Sequence, residues 1–159
     1  MSLATPEIVI GLDFGLRRIG LAIGDSLTRT ARPLTALTLT GRDGPDPTDW
    51  QRVSALLKQH APNRLVVGCP YNVDGTEQAL TGKARRFAQE LSERYTLPVE
   101  LVDERYSSLE AEAALRERRG AGQRGRIDRG SIDSAAAAII LERWLAEPHS
   151  RISLAPDPT

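Results

Sequence analysis

The sequence predicts a mixed α/β domain, a five-stranded sheet with helices on both faces, and three observations predict it. Residues 8–25 read IVIGLDFGLRRIGLAIGD, two apolar runs around a short turn. Two later runs, RLVVGC at 64–69 and PVELVDE at 98–104, are short and bounded by turn or helix signals, as buried strands are. Between and after them lie stretches with apolar residues at helical spacing.

Residues 7–14 read as the first strand and 18–25 as the second, with Gly15 to Arg18 as the turn of a hairpin. Residues 32–40, RPLTALTLT, alternate and form a third strand. Gly41 to Asp49 is a loop rich in Gly, Pro and Asp. Asp49 caps a helix from Trp50 to about His60, with Trp50, Val53, Leu56 and Leu57 on one side. The strand at 64–69 follows, then the loop PYNVDG at 70–75. A second helix runs from about Glu77 to Tyr95, and the strand 98–104 comes next. Ser107 or Ser108 caps a helix to about Arg119, Gly120 to Gly130 is a Gly/Arg-rich loop, and Ser131 to about Ala146 is the last helix. Residues 1–147 form the single domain and 148–159 a tail. The later crossovers imply parallel pairing with right-handed connections. The order β-β-β-α-β-α-β-α-α matches the ribonuclease H-like fold, an analogy at fold level.

The chain has 159 residues and zero formal net charge, so binding of nucleic acid through overall charge is not expected. Cys69 is the only cysteine, which excludes an intrachain disulfide and a cysteine zinc cluster. No apolar run nears the roughly 20 residues that span a bilayer, and the N-terminus has no signal-peptide pattern. A cytoplasmic protein with no membrane partner is the expectation.

Asp13 ends a strand that is otherwise apolar, alternating with Gly11 and Val9 on one face. A buried carboxylate must be paired, hydrogen-bonded or metal-bound. Gly11 and Gly15 leave room beside it for a ligand or another backbone. Asp133 lies in the first turn of the last helix and shares the apolar side of Ala136, Ala137 and Ile140, so it points toward the sheet. A plain first-turn acid favoured by the helix dipole is the alternative. Asp103 and Glu104 end the last strand. Neighbouring strand residues face opposite sides, so at most one of them points at Asp13. Glu104 has the longer reach and is the choice. Asp13, Glu104 and Asp133 would make a hard-oxygen site for Mg²⁺ or Mn²⁺. Two such ions about 4 Å apart stabilise the attacking and leaving oxygens of a phosphoryl displacement without a nucleophilic side chain. His60 and His149, the only histidines, lie far from these motifs.

Of the 21 basic residues, 19 are arginine, the better bidentate phosphate ligand. Six of them, Arg116, Arg118, Arg119, Arg124, Arg126 and Arg129, fall in a run that also holds Gly120, Gly122 and Gly125 and leads to Asp133. Such segments bind phosphate backbones through charge neutralisation. Arg17 and Arg18 sit in the first turn beside Asp13, and Arg105 follows Glu104. Tyr71, on the edge where α/β proteins usually bind ligands, could stack on a base. Cys69 reads as a small core residue.

Four segments together resemble the YqgF/RuvX family: GLDFGLRRIGLAIGD at 11–25, VVGCPYNVDGTEQ at 66–78, VDERYSS at 102–108 and IDRGSIDSAAAAIIL at 127–141. The resemblance implies a ribonuclease H-like nuclease that matures the 5′ end of 16S ribosomal RNA, or a resolvase of Holliday junctions. It carries the strand-one acid onto Asp13, the acid of the DER segment onto Glu104 and the last-helix acid onto Asp133. RuvC-type resolvases carry a further acid where this chain has Gly68-Cys69-Pro70, so that role would pass to Asp103 or Glu104. The expected activity is metal-dependent endonucleolytic cleavage of structured RNA, above all precursor rRNA, by a monomer or homodimer. The alternative is branched DNA cut by a dimer. A non-catalytic nucleic-acid-binding or ribosome-associated module ranks lower. A DFG phosphate loop of the actin-like ATPases ranks last, since it needs a second such domain.

Overall fold

The first strand, β1 (Ile8–Phe14), is buried along nearly its whole length because both faces are covered. The computed structural model describes residues 5–70, 78–103, 129–146 and 152–153. β2 (Arg18–Asp25) returns antiparallel through a turn closed by the Gly15 N–H on the Arg18 carbonyl at 3.0 Å. A side chain at Gly15 would lie 2.8 Å from that same oxygen, so the turn needs glycine.

β3 (Thr30–Thr38) pairs antiparallel with β2, two residues earlier than the TALTLT alternation predicts. Its register slips once. Ile19 faces Leu37, Leu21 faces Leu34, and Gly20 therefore stands opposite two residues, Thr35 and Ala36. That is a β-bulge.

β4 (Arg64–Cys69) and β5 (Val99–Asp103) pair in parallel with β1 and with each other, giving the order β3-β2-β1-β4-β5. These are the five strands expected, in a mixed sheet. The segment read as a tail adds a two-residue edge strand, β6 (Ile152–Ser153), antiparallel to β5. Nothing in its short, proline-flanked sequence distinguishes it from a tail; only the exposed edge of β5 selects it.

Helix α1 (Pro47–His60) begins earlier than Trp50. Asp46, not Asp49, is its N-cap, with Pro47 in the first turn. Asp49 closes the capping box and its carboxylate also accepts from the Thr40 and Gly41 N–H groups, both at 2.9 Å. Helix α2 (Ala79–Arg94) has Thr81 in its first turn, whose buried hydroxyl accepts from the Gln78 N–H and donates to the Pro70 carbonyl. Helix α3 (Arg129–Ala146) covers the other face. The helix expected between Ser107 and Arg119 lies outside the described residues.

Each face has its own core. Ile10, Leu12, Phe14, Leu65, Val67, Cys69 and Leu101 pack against α1 and α2. Val9, Ala22, Val66 and Val102 pack against α3 through Ala137, Ile140, Leu141 and Trp144. Each large side chain buried here contributes about 1.5–3 kcal/mol. Cys69 is a buried core residue, as its sequence context predicts.

Candidate active site

Asp13 owes its direction to its neighbour. Phe14 stacks on Phe87 of α2, with ring centroids 4.9 Å apart. Alternation then sends Asp13 to the opposite face, under α3. It is 9% exposed. Its two cross-strand neighbours are Gly20 on β2 and Gly68 on β4. Neither carries a side chain, so the carboxylate stands in a cleared row of the sheet.

Helix α3 enters that row. A Cβ placed on Gly20 would lie 2.0 Å from the Asp133 carbonyl oxygen and 2.9 Å from the Asp133 Cβ. The same placement on Gly11 would meet the Leu141 Cβ at 3.1 Å and the Ala137 oxygen at 3.2 Å, and on Gly24 the Leu141 Cδ2 at 2.9 Å. Asp133, Ala137 and Leu141 are successive i+4 positions on one stripe of α3. Three glycines of the hairpin thus form the channel that seats this stripe. Asp133 lands on the residue directly opposite Asp13. At the bulge, the Leu21 N–H donates to Ser134 Oγ at 3.2 Å, which fixes the first turn of α3.

Asp133 also accepts from Arg18 Nε at 2.9 Å, with both side chains about 30% exposed. The hairpin arginine expected to face nucleic acid is therefore tied to the helix acid. Arg17 is exposed. Asp103 closes β5 in register with Cys69, which belongs to the α1/α2 core, so its parity is opposite to that of Asp13. His60 ends α1, just before the start of β4, and thus at the far end of the sheet from Asp13.

Glu104, Tyr71, Arg105, Arg124 and Arg126 lie outside the described residues, and Arg129 opens α3 without a described side chain. Among the described residues no three His, Cys, Asp or Glu side chains form a metal cage. The two acids described, Asp13 and Asp133, are hard oxygen donors brought to one end of the sheet, and a divalent cation fits that donor chemistry. Sequence reasoning missed Gly20 and the bulge. The signal for Gly20 was present in the small residue facing Asp13 across the hairpin. The bulge left no such mark.

These features define a ribonuclease H-like domain whose first-strand acid lies opposite the glycine on which the last-helix acid is seated. The chain belongs to the family described as RuvX, Holliday junction resolvase, whose model matches residues 7–147. It is similar to the "Putative pre-16S rRNA nuclease" of Yersinia pestis strain Pestoides F, 51% identical over 139 residues, covering 87% of this chain and 94% of the relative. The protein of the same name from Yersinia pseudotuberculosis serotype IB is 50% identical over the same length. Among solved structures, Thermus thermophilus RuvC bound to a Holliday junction substrate superposes with a TM-score of 0.54 at 22% identity, over 92% of this chain and 99% of that one. At that identity the likeness is one of fold. No helix among the described residues is long and apolar enough to cross a membrane.

Proposed function

We propose that the chain is a divalent-metal-dependent endonuclease that matures the 5′ end of precursor 16S rRNA. The observation that carries this reading is Asp13, a buried carboxylate between two glycines, with Asp133 seated on one of them. Membership of a nuclease family and relatives named for pre-16S rRNA support it. Asp13, Glu104 and Asp133 would hold Mg²⁺ or Mn²⁺. The parity of Asp103 supports Glu104 as the third acid. When bound, the metal supplies an activated water and stabilises charge on the phosphate. The chain's own residues do the rest. The glycine row lets the acids approach, and the sheet holds Asp13 rigid. Arg18 keeps the Asp133 carboxylate oriented. Arg17, Arg105, Arg124, Arg126 and Arg129 neutralise the phosphate backbone, and Tyr71 stacks on a base. Work on precursor rRNA would place the protein in the cytoplasm.

The family description favours a second reading, the same chemistry on branched DNA by a homodimer with two active sites. Purified protein given labelled precursor rRNA and a four-way junction in parallel, with Mg²⁺ or Mn²⁺, separates the two. Asp13→Asn should abolish cutting while binding persists. Cutting that survives Asp13→Asn, Glu104→Gln and Asp133→Asn would remove the assignment from these residues.

A further inference from the structure

Beside the acids lies a cleft of about 580 Å³ between the bulge of β3 and the first turn of α3. The size is in the range of small-ligand sites. Arg18, Pro33, Thr35, Ala36, Ser131 and Ala135 are among the residues that line it. The bulge makes this space. Thr35 and Ala36, the two residues opposite Gly20, form its wall on the β3 side. Thr35 and Ala36 share the cross-strand row of Asp13 and Gly20, and Arg18, bonded to Asp133, borders the cleft.

Its chemistry is divided. Arg18 spends its Nε on Asp133, while its terminal amino groups make no hydrogen bond to a described residue. They remain as a fork of donors suited to two phosphate oxygens. Pro33, Ala36 and Ala135 offer apolar surface, and Thr35 offers a hydroxyl. An anion-binding fork at one end, with apolar surface and a hydroxyl beyond, matches phosphate, then base and sugar.

We propose that this cleft binds one unpaired nucleotide of the substrate strand, next to the phosphate being cut, with that nucleotide's own phosphate on the Arg18 amino groups. This rests on the nuclease reading above and adds a subsite to it. The consequence is a preference for substrates with an unpaired nucleotide beside the cleavage point, because a base held in a duplex cannot enter the cleft.

The probe is a five-nucleotide single-stranded RNA with 2-aminopurine at its centre, titrated into the Asp13→Asn protein. Binding should change the fluorescence. Ala135→Phe, which fills the cleft from α3, should weaken binding about tenfold, the scale of one base contact. Thr35→Trp fills it from the exposed bulge and serves if the first variant does not fold, as judged by circular dichroism. Gly82→Ala, at an exposed helix position with open space around it, should leave binding unchanged. Binding that is absent, or that both filling variants leave intact, overturns the subsite. Cleavage of precursor rRNA by the otherwise wild-type protein is measured separately. If cleavage depends on Asp13 but the cleft variants bind normally, the nuclease reading stands and the subsite falls. If the cleft binds but no acid substitution affects cutting, the nuclease reading falls instead.

Discussion

Gly20→Ala tests the packing on which the site depends. The added Cβ would lie 2.0 Å from the Asp133 carbonyl oxygen and 2.3 Å from its carbonyl carbon, against ordinary contacts of 3.4 Å or more. Both atoms are backbone, so no side chain can turn aside. The first turn of α3 must lift by more than 1 Å, and Asp133 moves with it away from Asp13. Overpacking of this kind costs about 1–3 kcal/mol. For a chain of this size that is a fall in Tm of roughly 3–10 °C. A misplacement near 1 Å at a reacting centre costs about 100-fold in rate. The assay is a thermal melt paired with single-turnover cleavage of precursor rRNA at a temperature where the variant is folded. Gly82→Ala is the control. It faces open space on an exposed helix position and should stabilise by about 0.5–1 kcal/mol. A Gly20→Ala protein with undiminished Tm and full cleavage would refute the seating of Asp133 on β2.

Other perturbations have equally definite outcomes. Burial pushes the Asp49 carboxyl up, but N–H donors from Asp46, Thr40 and Gly41 and the Thr40 hydroxyl outweigh it and hold it at about 2, below the ordinary 3.8. The stabilisation, about 2 kcal/mol, is therefore complete above pH 4 and lost as pH falls toward 2. Asp49→Asn should be destabilised at pH 7 by urea unfolding, with the gap narrowing below pH 4; an equal gap at pH 3 contradicts the assignment. Arg64 bonds Glu7 at 3.1 Å and Glu100 at 3.4 Å, and the indole N–H of Trp144 donates to the other oxygen of Glu100. The Glu7 bond is the main reason the Arg64 guanidinium is held still more firmly charged than usual. Arg64→Leu leaves the buried Glu100 without its cation and should cost about 2–3 kcal/mol, the low side for a buried pair because Arg64 is 23% exposed. Adding Glu100→Gln should recover part of that loss; a purely additive double variant would argue against the pairing. Replacing Arg124, Arg126 and Arg129 with Gln should flatten the slope of log affinity against log salt by about 2–3, read by filter binding from low to moderate salt. An unchanged slope would return that run to ordinary surface.

The legible parts of the site were those written in short-range pattern. Asp13 stood out because period-two alternation and its apolar neighbours mark a strand locally. Asp133 stood out because i+3 and i+4 spacing put it on the alanine stripe of a helix, and that stripe does meet the sheet. Helix α1 starts earlier than its sequence predicts because Asp46 and Asp49 can both cap it, and the choice depends on Thr40 and Gly41, just after β3, reaching Asp49. Nothing in the local sequence around Glu100 marks it as buried. It is 6% exposed because Trp144, 44 residues on, brings it a donor.

By itself, then, the sequence determined the first five strands, the helices among the described residues, their order, the hairpin and the choice of candidate acids, because propensity and periodicity act between residues a few positions apart. Only the tertiary structure decided that Gly20 is the seat of Asp133, that β3 bulges opposite it to open a cleft, and that Asp103 faces away from Asp13. Those three facts are matters of strand register and of contact across more than a hundred residues. Register is set by the summed packing of both faces of the sheet, and no local stretch of the chain contains that sum.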